Sequence, residues 1–236
     1  MDMQSLPPVG GLPEFVGTTV LDTIGLVLPG ADRALCEQMD SPYTALGVLS
    51  SRTGAAGQIV AVDEAIKHTG VTLLTAELPR DTKGWGGHGN YLVMGGRDVS
   101  NVRRAVEMAL ELSEKHAGEV YISDAGHLEF AFSARAGEAL HRVFDAPTGQ
   151  AFGFAAGSPA AIGLVMADYA VKSADVRLVR YMTPDRGTAH SNEVIIAFSG
   201  KPDAVKTAVL TARDIGLRLL ISMGSLPKSP SPPMWE

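Results

Sequence analysis

The stretch Pro79-Arg-Asp-Thr-Lys-Gly-Trp-Gly-Gly-His-Gly-Asn90 is dense in residues with chemical capability. Arg80, Asp81, Lys83 and His88 carry an acid, a base and two fixed cations within nine positions. A second group, Asp185, Arg186, Thr188, His190, Ser191 and Asn192, echoes it later in the chain. General acid–base catalysis would need such groups within hydrogen-bond reach of one another and of a substrate, which spacing alone does not deliver. The competing reading is a pair of loops whose polar side chains face water. Gly84-x-Gly86-x-x-Gly89 has the spelling of a dinucleotide fingerprint. That fingerprint works only when a helix follows it and offers its N-terminus to a pyrophosphate, and here a strand follows. The histidines stand in no spacing that suits a metal, so neither a metal nor a cofactor is expected. No Gly-x-Ser-x-Gly elbow, Walker loop or His-Glu-x-x-His helix occurs.

Composition narrows the classes further. A formal charge of −6 and the absence of any Lys/Arg block exclude a phosphate-binding face, so nucleic acid is not an expected partner. With 45% hydrophobic and 19% charged residues the chain can fill a packed core. Its single cysteine, Cys36, sits among Ala34, Leu35 and Met39 and reads as core packing in a reducing, cytoplasmic setting. The N-terminus lacks the basic and apolar regions of a signal peptide. The uncharged stretch 151–167 is broken by glycines and falls short of the roughly 20 apolar residues that span a bilayer, so no membrane partner is expected. The tail 227–236, proline-rich and carrying Trp235, reads as extended.

Internal repetition supplies the elements that must position these loops. Ala34-Leu-Cys-Glu-Gln-Met-Asp-Ser-Pro42 aligns with Ala139-Leu-His-Arg-Val-Phe-Asp-Ala-Pro147, and Ala45-Leu-Gly-Val with Ala151-Phe-Gly-Phe. Ala65-Ile-Lys67 aligns with Ala170-Val-Lys172, all at an offset of 105 or 106 residues. The loops agree too: Pro79-Arg-Asp81 answers Pro184-Asp-Arg186, and His88-Gly-Asn90 answers His190-Ser-Asn192.

Each half reads as strand (23–28; 128–133), helix (31–39; 134–144), strand (43–50; 150–156) and helix from near 54 and 158. A strand (71–78; 176–182), a loop, a strand (91–94; 194–198) and a closing helix (102–112; 205–215) complete it. Ser158 before Pro159 reads as an N-cap with proline at the first helical position. Val102, Val106 and Ala109, like Val205, Val209 and Ala212, fall on one helical face. The expected fold is α/β (α+β, ferredoxin-like), with domains over 15–120 and 121–226, each burying its own core between short tails at 1–14 and 227–236. Two like units in one chain suggest fused subunits of a closed ring, although enzymes also arise by duplication.

The residues Ala45-Leu-Gly-Val-Leu, Ala61-Val-Asp-Glu-Ala-Ile-Lys67, Ala151-Phe-Gly-Phe and Met166-Ala-Asp-Tyr-Ala-Val-Lys172 resemble the bacterial microcompartment shell-domain family. So do the glycine-to-helix steps Gly96-Arg-Asp-Val-Ser-Asn-Val102 and Gly200-Lys-Pro-Asp-Ala-Val205. A strand and helix precede the Ala-x-Gly strand in both halves, as in the family's circularly permuted, tandem-domain, trimeric class. The segments Phe15-Val-Gly-Thr, Arg52-Thr-Gly, Glu77-Leu-Pro-Arg-Asp-Thr-Lys-Gly84 and Ser191-Asn-Glu193 are similar to that class as well, and the likeness runs from about Phe15 to Pro227.

That resemblance implies a non-catalytic homotrimer in which six domains form a pseudohexagonal tile of a microcompartment shell, beside other shell proteins of the same compartment. It implies that the loops carrying Arg80, Asp81, Lys83, Gly84, Trp85, Gly86, His88 and Asn90, and Asp185, Arg186, Thr188, His190, Ser191 and Asn192, gather at the threefold axis as a pore. It places Lys67 and Lys172 at the tile edge and implies passage of a small polar metabolite such as a diol or amino alcohol. Longer family members carry an N-terminal extension that tethers enclosed enzymes, and only 14 residues precede Phe15, which argues against that role here. A duplicated enzyme using His88 and His190, and a small-ligand sensor, are the alternatives.

Overall fold

The structure, a computed structural model, describes residues 14–80, 88–224 and 226–230. Two antiparallel sheets organise them. The first module runs β1 (Glu14–Thr19), β2 (Thr23–Leu28), α1 (Arg33–Gln38), β3 (Ala45–Ser51), α2 (Ala56–Thr69), β4 (Thr72–Glu77), β5 (Asn90–Gly96) and α3 (Val99–His116). The second runs β6 (Glu119–Ser123), β7 (Gly126–Ser133), α4 (Glu138–Phe144), β8 (Ala151–Ser158), α5 (Ala160–Ser173), β9 (Val176–Met182), β10 (Val194–Gly200) and α6 (Pro202–Ser222). Strand orders β1-β2-β3-β5-β4 and β6-β7-β8-β10-β9 are the same topology twice, with β4 and β9 at corresponding edges.

The long closing helices form where the apolar spacing placed them. Val102, Ala105, Val106, Ala109 and Leu110 of α3 are buried, as are Val205, Ala208, Val209, Ala212 and Leu220 of α6. Asp98 caps α3 by accepting from Ser100 N at 2.8 Å. Gly47 in β3 lets α3 lie close, since a Cβ there would stand 2.7 Å from Val106 Cγ2. No described helix is long and apolar enough to cross a membrane.

Several expectations shift. β1 and β6 are additional strands, each pairing with the strand after it. The first hairpin turns through Leu21 and Asp22 at φ 58° and 53°, so no glycine marks it. Because β6 belongs to the second sheet, the chain passes between modules near Ala117–Gly118, slightly before the expected 120/121 boundary. α5 starts at Ala160 and Ser158 ends β8, so the serine is not its cap. Asn192 from the neighbouring loop supplies that acceptor instead, its Oδ1 taking a hydrogen bond from Ala160 N at 3.1 Å.

The cores are not separate either. Ile59, Val62 and Leu73 of the first module share one buried cluster with Ala139, Leu140, Phe144, Phe152 and Phe154 of the second. Phe144 stacks on Phe152 at 5.3 Å and meets Phe154 edge-on at 5.4 Å. α5 and α6 cover the other face of the second sheet with their own cluster. On the first sheet's other face, α1 packs Cys36 beside Ala31, Leu46 and Val93, the packing role the sequence suggested.

Candidate functional site: paired loops over a polar seam

The two loops are built on the N-terminal ends of α2 and α5. Asn90, at the start of β5, donates from Nδ2 to Ser51 Oγ at 3.0 Å and to Gly54 O at 2.9 Å, fixing the first loop beside α2. The second loop folds on itself. Thr183 and Arg186 exchange backbone hydrogen bonds at 2.9 and 2.8 Å, and Ser191 N donates to Thr188 O at 2.8 Å. His190 takes a left-handed φ of 62°. Arg80 Nη1 reaches His190 O at 3.4 Å, so the loops of the two modules meet.

Burial divides the expected loop residues. Arg80, Asp185, Arg186, His190 and Asn192 are exposed, with His190 Nδ1 3.7 Å from Asp185 Oδ1 in a loose, solvated pair. His88, Asn90, Thr188 and Ser191 are buried within the chain and support the loops from beneath. A reading in which all of these side chains face water, or all line a passage, therefore fails for those four. Asp81, Lys83, Gly84, Trp85 and Gly86 lie outside the described residues.

His88 belongs to a sealed cluster. Its Nε2 donates to Thr188 O at 3.3 Å, and its Nδ1 lies 2.7 Å from Glu193 Oε2, close but poorly aligned, an ion-pair contact rather than a well-formed hydrogen bond. Both ring nitrogens thus face acceptors, which favours the charged ring. His127 Nε2 donates to the other Glu193 oxygen at 2.7 Å. Burial would push the Glu193 carboxyl up, but the hydrogen bond from His127 and the close contact with His88 outweigh it and bring the pKa down to about 2. Burial likewise opposes charge on His88, and Glu193 at contact, helped by Glu129, raises its pKa all the same. Glu129 itself is pushed up by burial, against the backbone donors that favour its charge. His88, His127, Glu129 and Glu193 are each at most 3% exposed, so the cluster packs inside the protein rather than facing solvent.

The cluster is one part of a polar seam between the modules. Glu129 in β7 accepts from Ala55 N and Ala56 N at 2.9 Å each, capping helix α2 of the other module. Asp63 in α2 returns the favour to α4, accepting from Gly137 N at 2.8 Å, Ala139 N at 2.9 Å and Leu140 N at 3.3 Å. Arg142 in α4 donates to Leu73 O and Leu74 O, both at 2.6 Å, on the edge strand β4. Lys67 bonds Asp63 and Glu64 at 2.9 Å and Arg135 O at 2.7 Å. The expected tile-edge lysine is thus engaged in the seam, whereas Lys172 pairs with Asp168 at 2.6 Å on an open surface. Asp63, Glu129 and Glu193 escaped sequence reasoning, although Glu129 interrupts an apolar run with a lone carboxylate, a signal that was there to read.

Comparison with known proteins agrees with this architecture. The family described as the BMC domain matches twice, over residues 45–124 and 151–228, starting at β3 and β8 rather than at the first strand of each sheet, as circular permutation requires. The bacterial microcompartment shell protein PduB of Citrobacter freundii is 47% identical over 94% of this chain and 83% of its own length. The crystal structure of a trimeric bacterial microcompartment shell protein PduB superposes with a TM-score of 0.89 at 43% identity, covering 94% of this chain and 99% of that one. EtuB from Clostridium kluyveri gives 0.89 at 45% identity over 93% and 97%. The chain belongs to the bacterial microcompartment shell proteins, as a tandem, circularly permuted member with two BMC domains.

Proposed function

We propose that three copies of this chain close head to tail into a flat pseudohexagonal tile of six modules, a structural unit of the shell that also passes small polar metabolites. One observation carries the reading. α2 and α5 are equivalent helices, yet Ile59 is 0% exposed and its counterpart Leu164 is 54% exposed. On the edge strands, Leu73 is 1% exposed and Leu178 is 42% exposed. Module two covers the first face, and nothing among the described residues covers the second. On the opposite side, Leu140 of α4 is 0% exposed and its counterpart Leu35 of α1 is 48% exposed. The open α5/β9 face and the open α1 face are therefore the two halves of a contact the chain has already made once. A head-to-tail contact of this kind closes into a ring or runs on as a filament, and the trimer named for the PduB relative supports closure.

In this tile the paired loops gather at the axis, with Arg80, Asp185, Arg186 and His190 as candidate lining. Mixed charge in a narrow passage can replace the hydration of a small polar solute, such as a diol or an amino alcohol, while hindering apolar ones. The loops sit at the N-terminal ends of α2 and α5. Lys67 and Lys172 lie toward the C-terminal ends, roughly 17 Å further along each helix at 1.5 Å per residue. With loops at the axis the lysines fall toward the rim, where neighbouring tiles and other shell proteins would meet. Sedimentation of the purified chain tests the tile: a species of three chain masses is expected, and a stable monomer at tens of micromolar would end the reading. Lys67→Ala with Lys172→Ala should reduce the sheets seen by negative-stain microscopy, and unchanged sheets would remove the rim assignment.

A further inference from the structure

We propose that Glu37 pairs with Arg177, and Asp32 with Lys172, across the contact between successive chains, making this second seam a charge-inverted copy of the first. The inference rests on the head-to-tail reading above and deepens it by naming the contacts that fix the order of modules. Its basis is positional equivalence within the chain. α1 and α4 are each followed within two residues by an aspartate in the left-handed region, Asp40 at φ 50° and Asp145 at φ 55°. Both are entered through the same backbone bond, Ala31 N to Thr44 O and Ala136 N to Gln150 O, each at 2.7 Å. What α4 does to α2 and β4 within the chain, α1 is therefore shaped to do to α5 and β9 of another copy.

The first pair follows from Arg142, which donates to the two edge carbonyls of β4. Its counterpart in α1 is Glu37, which has no proton to donate. The edge strand it would meet differs in the matching way, because β9 carries Arg177 where β4 carries Thr72. Glu37 and Arg177 are both exposed, and neither has an ion-pair partner among the described residues. The cation has moved from the helix to the strand.

The second pair follows from Gly137. A Cβ at that position would stand 2.8 Å from Asp63 Oδ1 and 2.5 Å from Lys67 Cε, so a side chain there would force the Asp63–Lys67 pair to shift. Its counterpart in α1 is Asp32, so the second seam cannot repeat the first seam's contact at this one position. Asp32 Oδ1 already accepts from Ala34 N at 2.9 Å, the service that Asp63 performs for Ala139 N at 2.9 Å across the first seam. The helix that Asp168 would have capped is capped from within. Lys172, the equivalent of Lys67, then finds its acceptor in Asp32.

These inversions discriminate between modules. Placing α4 of one copy against β9 of another would set Arg142 beside Arg177, and placing α1 against β4 would point the Glu37 carboxylate at two carbonyls. Repulsion against the wrong neighbour enforces strict alternation around the ring.

Charge exchange tests this on the full chain by sedimentation velocity at low and physiological salt. Glu37→Arg and Arg177→Glu should each weaken trimer association by about tenfold or more, with three copies of the pair per ring, and the double exchange should restore most of it. Trimers unaffected by either single exchange, or a double exchange no better than the singles, would overturn the pairing while leaving the tile intact; a wild-type monomer would instead overturn the tile. Circular dichroism of each variant checks folding. Should a reversal fail to fold, the Glu37→Gln/Arg177→Gln cycle replaces it, and additive effects there would equally reject the contact.

Discussion

Helices α2 and α5 share Asp-x-Ala-x-Lys at equivalent positions and live in different surroundings. In α2 the aspartate is buried, caps a helix of the other module and holds Lys67. In α5 the same aspartate and lysine pair with each other in solvent. Local sequence decided that both segments are helices, but what covers them decided which residues matter to the fold. A duplicated protein thus contains its own control, because one copy of a contact is complete and the other awaits a partner.

Breaking the two copies of the contact in parallel should reveal the asymmetry. Leu140→Ala removes a side chain from the shared core and should cost about 2–5 kcal/mol in urea denaturation, whereas Leu35→Ala should leave the monomer within about 0.5 kcal/mol and weaken only assembly. Equal losses would mean that the α1 face is already packed. Asp63→Ala should cost about 3 kcal/mol, since it strips three N–H groups at the start of α4 of their acceptor and leaves Lys67 one partner fewer. Asp168→Ala, equivalent in sequence, should be within about 0.5 kcal/mol in the monomer. Matching values would refute the equivalence of faces.

A smaller effect comes from the buried His88–Glu193–His127 cluster. The Glu193 pKa falls from 4.5 to about 2 on folding, so its stabilisation is present above pH 4.5 and is lost as pH drops toward 2. The raised His88 pKa gives stabilisation that is full below 6.5 and lost as pH rises through the folded value. The joint contribution of Glu193 and His88 should therefore be greatest between about pH 4.5 and 6.5, with an acid limb of about 3 kcal/mol at most from Glu193. Glu193→Gln should flatten the acid limb and His88→Gln the alkaline one in denaturation midpoints taken across pH. Limbs unchanged in these variants would assign the dependence to other groups.

The duplication, the order of the main elements and the core faces of α3 and α6 were legible because periodic apolar residues and a steady offset report them directly. β1 escaped because its hairpin turns through Leu21 and Asp22, with no glycine to signal it. The loops were found, but their division into exposed tips and buried bases was not, since His88 and His190 look alike in sequence and differ only in what folds over them. The seam was hidden for the same reason. Asp63 and Asp168 cannot be told apart until one of them is seen against α4.

The head-to-tail contact can be trapped covalently. Asp63 Oδ1 lies 3.3 Å from Leu140 N, so the equivalent positions 168 and 35 should come together between chains. In a Cys36→Ser background, Leu35→Cys with Asp168→Cys should oxidise to a covalently closed trimer on a non-reducing gel, while each single cysteine stays monomeric under denaturation. Intrachain bridging, or only uncrosslinked chains under conditions that keep the protein folded, would contradict the account.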